Sequence, residues 1–470
     1  MRFWTTITLI LVLSAVGLTY EIAAGRVLAP FFGTSLVTWT SVIAVILAGF
    51  SLGSALGGLV ADRDRAVAVR AVRIALIATA LLMAVSPAVL GLVYALGARG
   101  TGGMLAAVML AFFPASVLVT FPSPFLAQMA IEARPGREGS SLGLVLAAGS
   151  LGAIFGAVLA GFVALPVVGS VATFAGCGLV ALACVPLIRG AGRGPGGPGM
   201  AVAGGLAGLA VLGVTASGPM CRHESGISCI DVQVQGDTVW LLSDRTPQAA
   251  EADAPGPAML ALPYTRWIWS RMQADLGPAP SVLFIGGGGY SLPAVLLDQD
   301  PRARAMAVEI DPLITRVAQG HLPRAGALIG GGDPRLRIAH ADGRLFLNEA
   351  TERFDAAVMD AFSSGSVPAH LATREAYARL RAMVDGPVYV NLIDRPDGPL
   401  LRGVHAILSE IYPHVQAVQG PVSARGRANL VLAASDRALA PLAALPDGFA
   451  PVAVTPARAF TDDRGWIGHR

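Results

Sequence analysis

The chain has 470 residues, a mean hydropathy of +0.62 and only 14% charged residues, so it is too long for one compact domain and too apolar to be wholly soluble. Its basic side chains are all arginine, and the formal charge of +3 comes without a dense basic stripe carrying interleaved aromatics, so no nucleic acid partner is expected. The four cysteines show no metal-ligand spacing, and no metal is expected either.

The apolar mass lies in residues 1–218, where about seven transmembrane helices are expected near 4–24, 36–60, 70–97, 102–131, 141–166, 169–188 and 200–217. The lipid bilayer is therefore an expected partner, and a plasma membrane of bacterial type the expected location. The first span is too long, and too free of a small-residue cleavage site, for a removable signal peptide. Gly49, Gly53 and Gly57 recur every four residues, as do Gly152 and Gly156, which predicts helix faces where backbones approach closely. Glu21 and Arg26 read as a structural ion pair or a snorkelling arginine, with a polar lining for a substrate path as the alternative.

Arginine placement predicts orientation. Arg63, Arg65, Arg70 and Arg73 share one connection, Arg134 and Arg137 a second, and Arg189 and Arg193 a third, which the positive-inside rule assigns to the cytoplasm. Seven spans then put the rest of the chain outside, whereas a domain supplied by cytosolic metabolites would lie on the cytoplasmic side; one miscounted segment would reverse the result. The Gly- and Pro-rich stretch from Arg189 to Met200 reads as a flexible loop. Cys221 and Cys229 flank a short loop after the last span and can pair only if that loop faces an oxidising compartment.

Residues 219–470 read as a globular α/β domain. Asp231–Val234 and Thr238–Ser243 suggest a small β-hairpin region, a helix follows from about Ala258 to Ala274, and strands then alternate with helices through Ser435. That order implies a doubly wound, Rossmann-like sheet with helices on both faces. Val282–Ile285 fits a strand buried on both faces, and Gly286, Gly287, Gly288 and Gly289 let the backbone turn against a ligand. Glu309, about twenty residues on, ends the next strand where a carboxylate accepts ribose hydroxyls. Asp342 and Asp360 end two later strands; each is also placed to cap a helix, yet four successive tips of this kind predict one shared pocket.

With these motifs in place, Val282–Tyr377 resembles the spermidine synthase (polyamine aminopropyltransferase) family, whose fold is the Rossmann-like one of class I methyltransferases. The glycine turn, Glu309 with Ile310, Asp342–Gly343 and Asp360 match the family's donor-binding elements, and Gln248 and Tyr264 match weaker upstream ones. YEIAAGRVLAPFFG in the apolar half and the TDD of Thr461–Asp463 resemble the membrane-fused branch. The resemblance implies binding of S-adenosylmethionine or its decarboxylated form as a substrate, attack beside the sulfonium and release of methylthioadenosine. Asp360 and Tyr264 are the expected catalytic residues, with Asp360 the carboxylate near the sulfonium.

The departures from the family pattern matter as much. Gly289, followed by Tyr290 and Ser291, stands where the family has an Asp that pairs with the donor's amine; Ser363 replaces a second Asp, and Thr265 a His. Loss of two carboxylates disfavours a dicationic diamine. It also removes a repulsion of about 4 kcal/mol, at 4 Å and an effective dielectric near 20, against the α-carboxylate of intact S-adenosylmethionine. The expectation is thus a lyase that cleaves the S–Cγ bond without an acceptor to give homoserine lactone. Aminopropyl transfer to a polyamine is the alternative, and a membrane transporter or sensor regulated by nucleoside is the non-enzyme reading.

His370 and Tyr377 follow in a segment expected to close over the site, and His370 is counted among the substrate-binding residues with Tyr290 and Ser363. Asp394 and Asp462 are candidates to replace the lost carboxylates, although Asp462 and Asp463 also read as solvated tail acids. The sequence leaves a homo-oligomer open.

Overall fold

The computed structural model describes residues 2–464 apart from 34, 189–197, 217, 219, 362–367, 425 and 447. Most of the glycine- and proline-rich stretch after Ile188 thus lies outside the described residues, and so does Ser363. The chain divides into two compact units, Met1–Cys229 and Ile230–Arg470.

In the first unit six helices are long and apolar enough to cross a membrane: Phe3–Phe32, Leu36–Ala61, Arg65–Ala95, Gly100–Glu132, Glu138–Leu187 and Gly199–Ala216. The fifth runs 50 residues. At 1.5 Å per residue that is about 75 Å, more than twice a hydrocarbon core of about 30 Å. Gly169 breaks it, with φ 79° and ψ 174° inside the helical run, so the described residues form seven apolar rods.

Glycine sets how closely these rods approach. A Cβ on Gly53 would overlap the carbonyl of Val117, and one on Gly156 that of Ala15, so both seams read from the sequence are sites of backbone contact. Buried Tyr20 shares a 2.7 Å hydrogen bond with Ser86 across the apolar interior. Arg26 donates from Nε to the carbonyl of Ser225 at 3.3 Å, whereas Glu21 leaves Oε2 buried without a hydrogen-bond partner among the described residues. The unit closes with a short strand, β1 (His223–Glu224), inside a loop tied by a Cys221–Cys229 disulfide.

The second unit is an α/β domain carrying a small antiparallel sheet. Strands β2 (Cys229–Gln235), β3 (Thr238–Ser243) and β4 (Thr246–Ala252) form a meander, one strand more than the hairpin read from the sequence. Helix Pro263–Asp275 leads to the main sheet. Its strands are β5 (Ser281–Ile285), β6 (Arg304–Glu309), β7 (Leu336–His340), β8 (Ala356–Met359), β9 (Val388–Asp394), β10 (His414–Gln419), β11 (Ala428–Ser435) and β12 (Ala450–Pro451). They lie in the order β12-β10-β11-β9-β8-β5-β6-β7, parallel from β9 to β7 and antiparallel beyond. Strand order reverses between β5 and β8, and in open α/β sheets the crevice for ligands opens there, beyond the carboxyl ends.

The central strand shows why this sheet is buried on both faces. Val282 and Phe284 pack with Trp267, Ile268 and Val295, whereas Leu283 and Ile285 point the other way to Leu380, Leu401 and Val404. Two-residue alternation between two apolar layers leaves only the strand tips free for polar work.

Candidate functional site

The tips of β5 and β8 meet around Gly286. Its φ of 96° favours glycine, and a Cβ there would overlap the carbonyl of Asp360, so the turn and the acid are locked side by side. The Gly286 amide donates to Val308 at 2.9 Å and the Asp360 amide to Ile285 at 2.8 Å, which ties three adjacent strands at their ends. A narrow cleft opens over them. It is lined by Gln248, Tyr264, Thr265, the turn Gly286–Tyr290, Ser291 and Asp360.

Asp360 is the chemical centre of this cleft. Tyr264 donates its hydroxyl to Oδ2 at 2.9 Å, Asn391 donates Nδ2 to Oδ1 at 2.8 Å, and Asn429 donates Nδ2 to Oδ1 of Asn391 at 3.0 Å. Burial pushes the Asp360 carboxyl up to about 7, against the pull of the Asn391 and Tyr264 hydrogen bonds. Burial, reinforced by the adjacent carboxylate, holds the Tyr264 hydroxyl well above the tyrosine range, so it remains a donor. Among the described residues Asp360 has two neutral donors and no ion pair. A buried acid in that state gains most from a cationic ligand.

Glu309 sits at the tip of β6 beside the glycine turn. Its Oε2 accepts from the Gly288 amide at 3.0 Å and its Oε1 from the Asp311 amide at 2.9 Å, while burial raises its pKa. The Gly287 amide lies near it as well, and a carboxylate's acceptor capacity exceeds these three donors, which leaves room for a ligand hydroxyl. The next residue, Ile310, is exposed, an apolar surface beside that acid. Tyr290 is buried, with its ring under Gly287 and its hydroxyl 2.5 Å from Thr315 Oγ1.

Asp342 is a helix cap and more. Oδ1 accepts from the amides of Arg344 and Leu345 at 2.8 and 3.2 Å, and Oδ2 lies 2.9 Å from His370 Nε2. Burial opposes its charge, yet the Leu345 amide and His370 hold its carboxyl below the usual range. Gly343 packs so tightly on β5 that a Cβ would lie 2.7 Å from Ile285 Cγ2. Arg344 extends the cluster, donating to the His370 carbonyl at 2.8 Å and pairing with Asp462 at 2.6 Å.

Several expectations change. Asp462 does not replace a lost site carboxylate, because Arg344 and Thr373 hold it. Asp394 does not either, since its Oδ2 caps the helix Pro399–Ile411 through the Leu400 amide at 3.0 Å. Tyr377 is packed in the core with Leu380 and Leu283 rather than in the cleft. Asn391, Asn429 and Arg344 were missed by sequence reasoning; the one available signal was an Asn inside each of two apolar strands, YVNLID and ANLVLAAS.

No family model matches the chain. It is 30% identical over 132 residues to a polyamine aminopropyltransferase of Vibrio vulnificus, and 36% identical over 119 residues to polyamine aminopropyltransferase 1 of Streptomyces coelicolor. These matches cover 27% and 24% of this chain, and only 42% and 22% of the relatives' own length. Among solved structures, a probable spermidine synthase from Corynebacterium glutamicum aligns with a TM-score of 0.40 and 22% identity, over 47% of this chain and 81% of that one. These relatives carry the name of the family that the motifs from Val282 to Tyr377 resemble.

Proposed function

We propose that the second unit is an aminopropyltransferase that binds decarboxylated S-adenosylmethionine and passes its aminopropyl group to an amine, releasing methylthioadenosine. The observation that carries this reading is Asp360, a buried carboxylate with neutral donors on both oxygens and no ion pair among the described residues, beside a glycine turn. A sulfonium or ammonium completes that site electrostatically. The names of the similar relatives support the choice of an aminopropyl donor.

Group transfer from a sulfonium asks little bond-breaking help of a protein, because the leaving thioether is neutral. In this reading the residues align the reacting carbon and hold positive charge. Glu309 receives the ribose hydroxyls, and Ile310 with Asp342–Gly343 flanks the base. Tyr264 and Asn391 keep Asp360 aimed into the cleft, while Gln248 and His370 border the bound substrate. The apolar helices of the first unit support insertion in a lipid bilayer.

One observation favours the acceptor-less lyase as a second reading. A Cβ on Gly289 would overlap that of Ala249, so the turn has no room for an amine-binding acid. Beside it, Ser291 Oγ is buried without a hydrogen-bond partner among the described residues, at the start of the helix Ser291–Gln299, where a carboxylate is favoured.

Purified protein incubated with each donor, with and without a diamine, separates the two. Methylthioadenosine from the decarboxylated donor only when amine is present supports the transferase. Its release from intact S-adenosylmethionine alone supports the lyase and overturns the first reading. S-adenosylhomocysteine as the product, or no nucleoside product from either donor, overturns both.

A further inference from the structure

The polar contacts of the first unit sort its helix ends into two groups. At one end the Arg134 guanidinium lies 3.7 Å from the centroid of the Phe3 ring, Arg65 pairs with Glu132, and Arg73 donates to the Ile188 carbonyl at 2.7 Å. At the other, Arg26 reaches Ser225, the Ser170 amide donates to Glu224 Oε2 at 3.0 Å, and the rings of Phe31 and Tyr94 stand 5.0 Å apart. The break at Gly169 puts residues 169–170 at this second end, as seven rods alternating in direction require.

The two ends differ in charge and in sulfur chemistry. The connections at the first end carry Arg63, Arg134 and Arg137, with Arg2 just before the first helix, and in the sequence Arg189 and Arg193 follow Ile188; among the described residues the connections at the second end carry only Arg99 and Arg222. By the positive-inside rule the first end is cytoplasmic. The Cys221–Cys229 disulfide closes the loop that holds Ser225 and Glu224, so it lies at the arginine-poor end. Disulfides persist in oxidising compartments and are rare in a reducing cytosol. Charge and redox chemistry are independent, and they give one orientation.

We propose that the disulfide-tied end of the bundle faces away from the cytoplasm, so that the second unit, which continues from Cys229 at Ile230, works on the extracytoplasmic side. This reverses the expectation drawn from the cytosolic supply of S-adenosyl nucleosides. It rests on the first unit alone and holds whichever reaction the second performs. The second unit, 230–470, contains no cysteine, so an oxidising compartment leaves its own chemistry untouched.

The test is thiol labelling of the full chain in intact cells. V422C, at a position 49% exposed in the second unit, should react with a membrane-impermeant maleimide before permeabilisation, and D62C, at the arginine-rich end, only after it. The reverse pattern overturns the proposal. Unaltered protein alkylated without reduction and then mapped by mass provides a check free of substitutions. Cys221 and Cys229 should be unmodified until reductant is added, and alkylation of either beforehand overturns the orientation.

Discussion

Asp360 combines two demands that pull against each other. In the empty protein its protonated form is favoured, so its contribution to stability is complete below the ordinary carboxyl range and is lost as pH rises through about 7. Binding a cation needs the charged form. The fall in kcat/KM on acidification should therefore centre near pH 7, while the fall in kcat lies at lower pH because the bound cation pulls the acid down. Asp360→Asn should lower turnover by about a thousandfold or more while leaving the fold more stable at pH 8, by on the order of 2–4 kcal/mol. Rates with thermal or denaturant unfolding at two pH values check both signs; a variant destabilised at pH 8 would make the acid structural. Asn391→Ala removes the donor to Oδ1 and should move the kcat/KM midpoint to higher pH, with a smaller shift for Asn429→Ala, which acts one hydrogen bond further away.

Elements were legible where local pattern and burial agree. The β5 run VLFI reads as a strand because both faces are apolar, and the structure buries it on both. Strand β4, TPQAAEA, was missed because it has neither alternation nor β-branched density. Pairing with β3 shapes it, and its buried Glu251 accepts from the Ala325 amide at 3.2 Å. In the site the four strand tips were visible as acids or glycines after apolar runs. The partners of Asp360 were not, because Asn391 becomes its neighbour only when β8 and β9 pair in parallel. Glycine spacing in the apolar half was readable for a geometric reason, and the same geometry makes a prediction. Gly53→Ala should destabilise the detergent-solubilised protein by about 1–3 kcal/mol because its Cβ overlaps the Val117 carbonyl. Gly58→Ala, one residue past the seam at Gly57 and with open space around it, should be neutral or gain up to about 1 kcal/mol of helix propensity. Thermal unfolding of the pair is the check, and equal shifts would mean that the seam does not govern packing.

At the scale of the whole molecule, the orientation of the bundle decides where substrate must arrive. A sulfonium nucleoside carries fixed positive charge and crosses hydrocarbon poorly, so a site on the far side of the membrane cannot draw on the cytosolic pool by diffusion. With the proposed reaction and orientation, the donor has to come through a transport step and the nucleoside product appears outside. Sealed membrane vesicles expose this directly. Right-side-out vesicles should convert donor added together with amine at once, whereas inverted ones should stay latent until detergent opens them. Latency in the opposite sense would put the site on the cytoplasmic face even if turnover proved to be that of an aminopropyltransferase. Equal rates in both preparations would show that the donor passes freely, and sidedness would then place no constraint on supply.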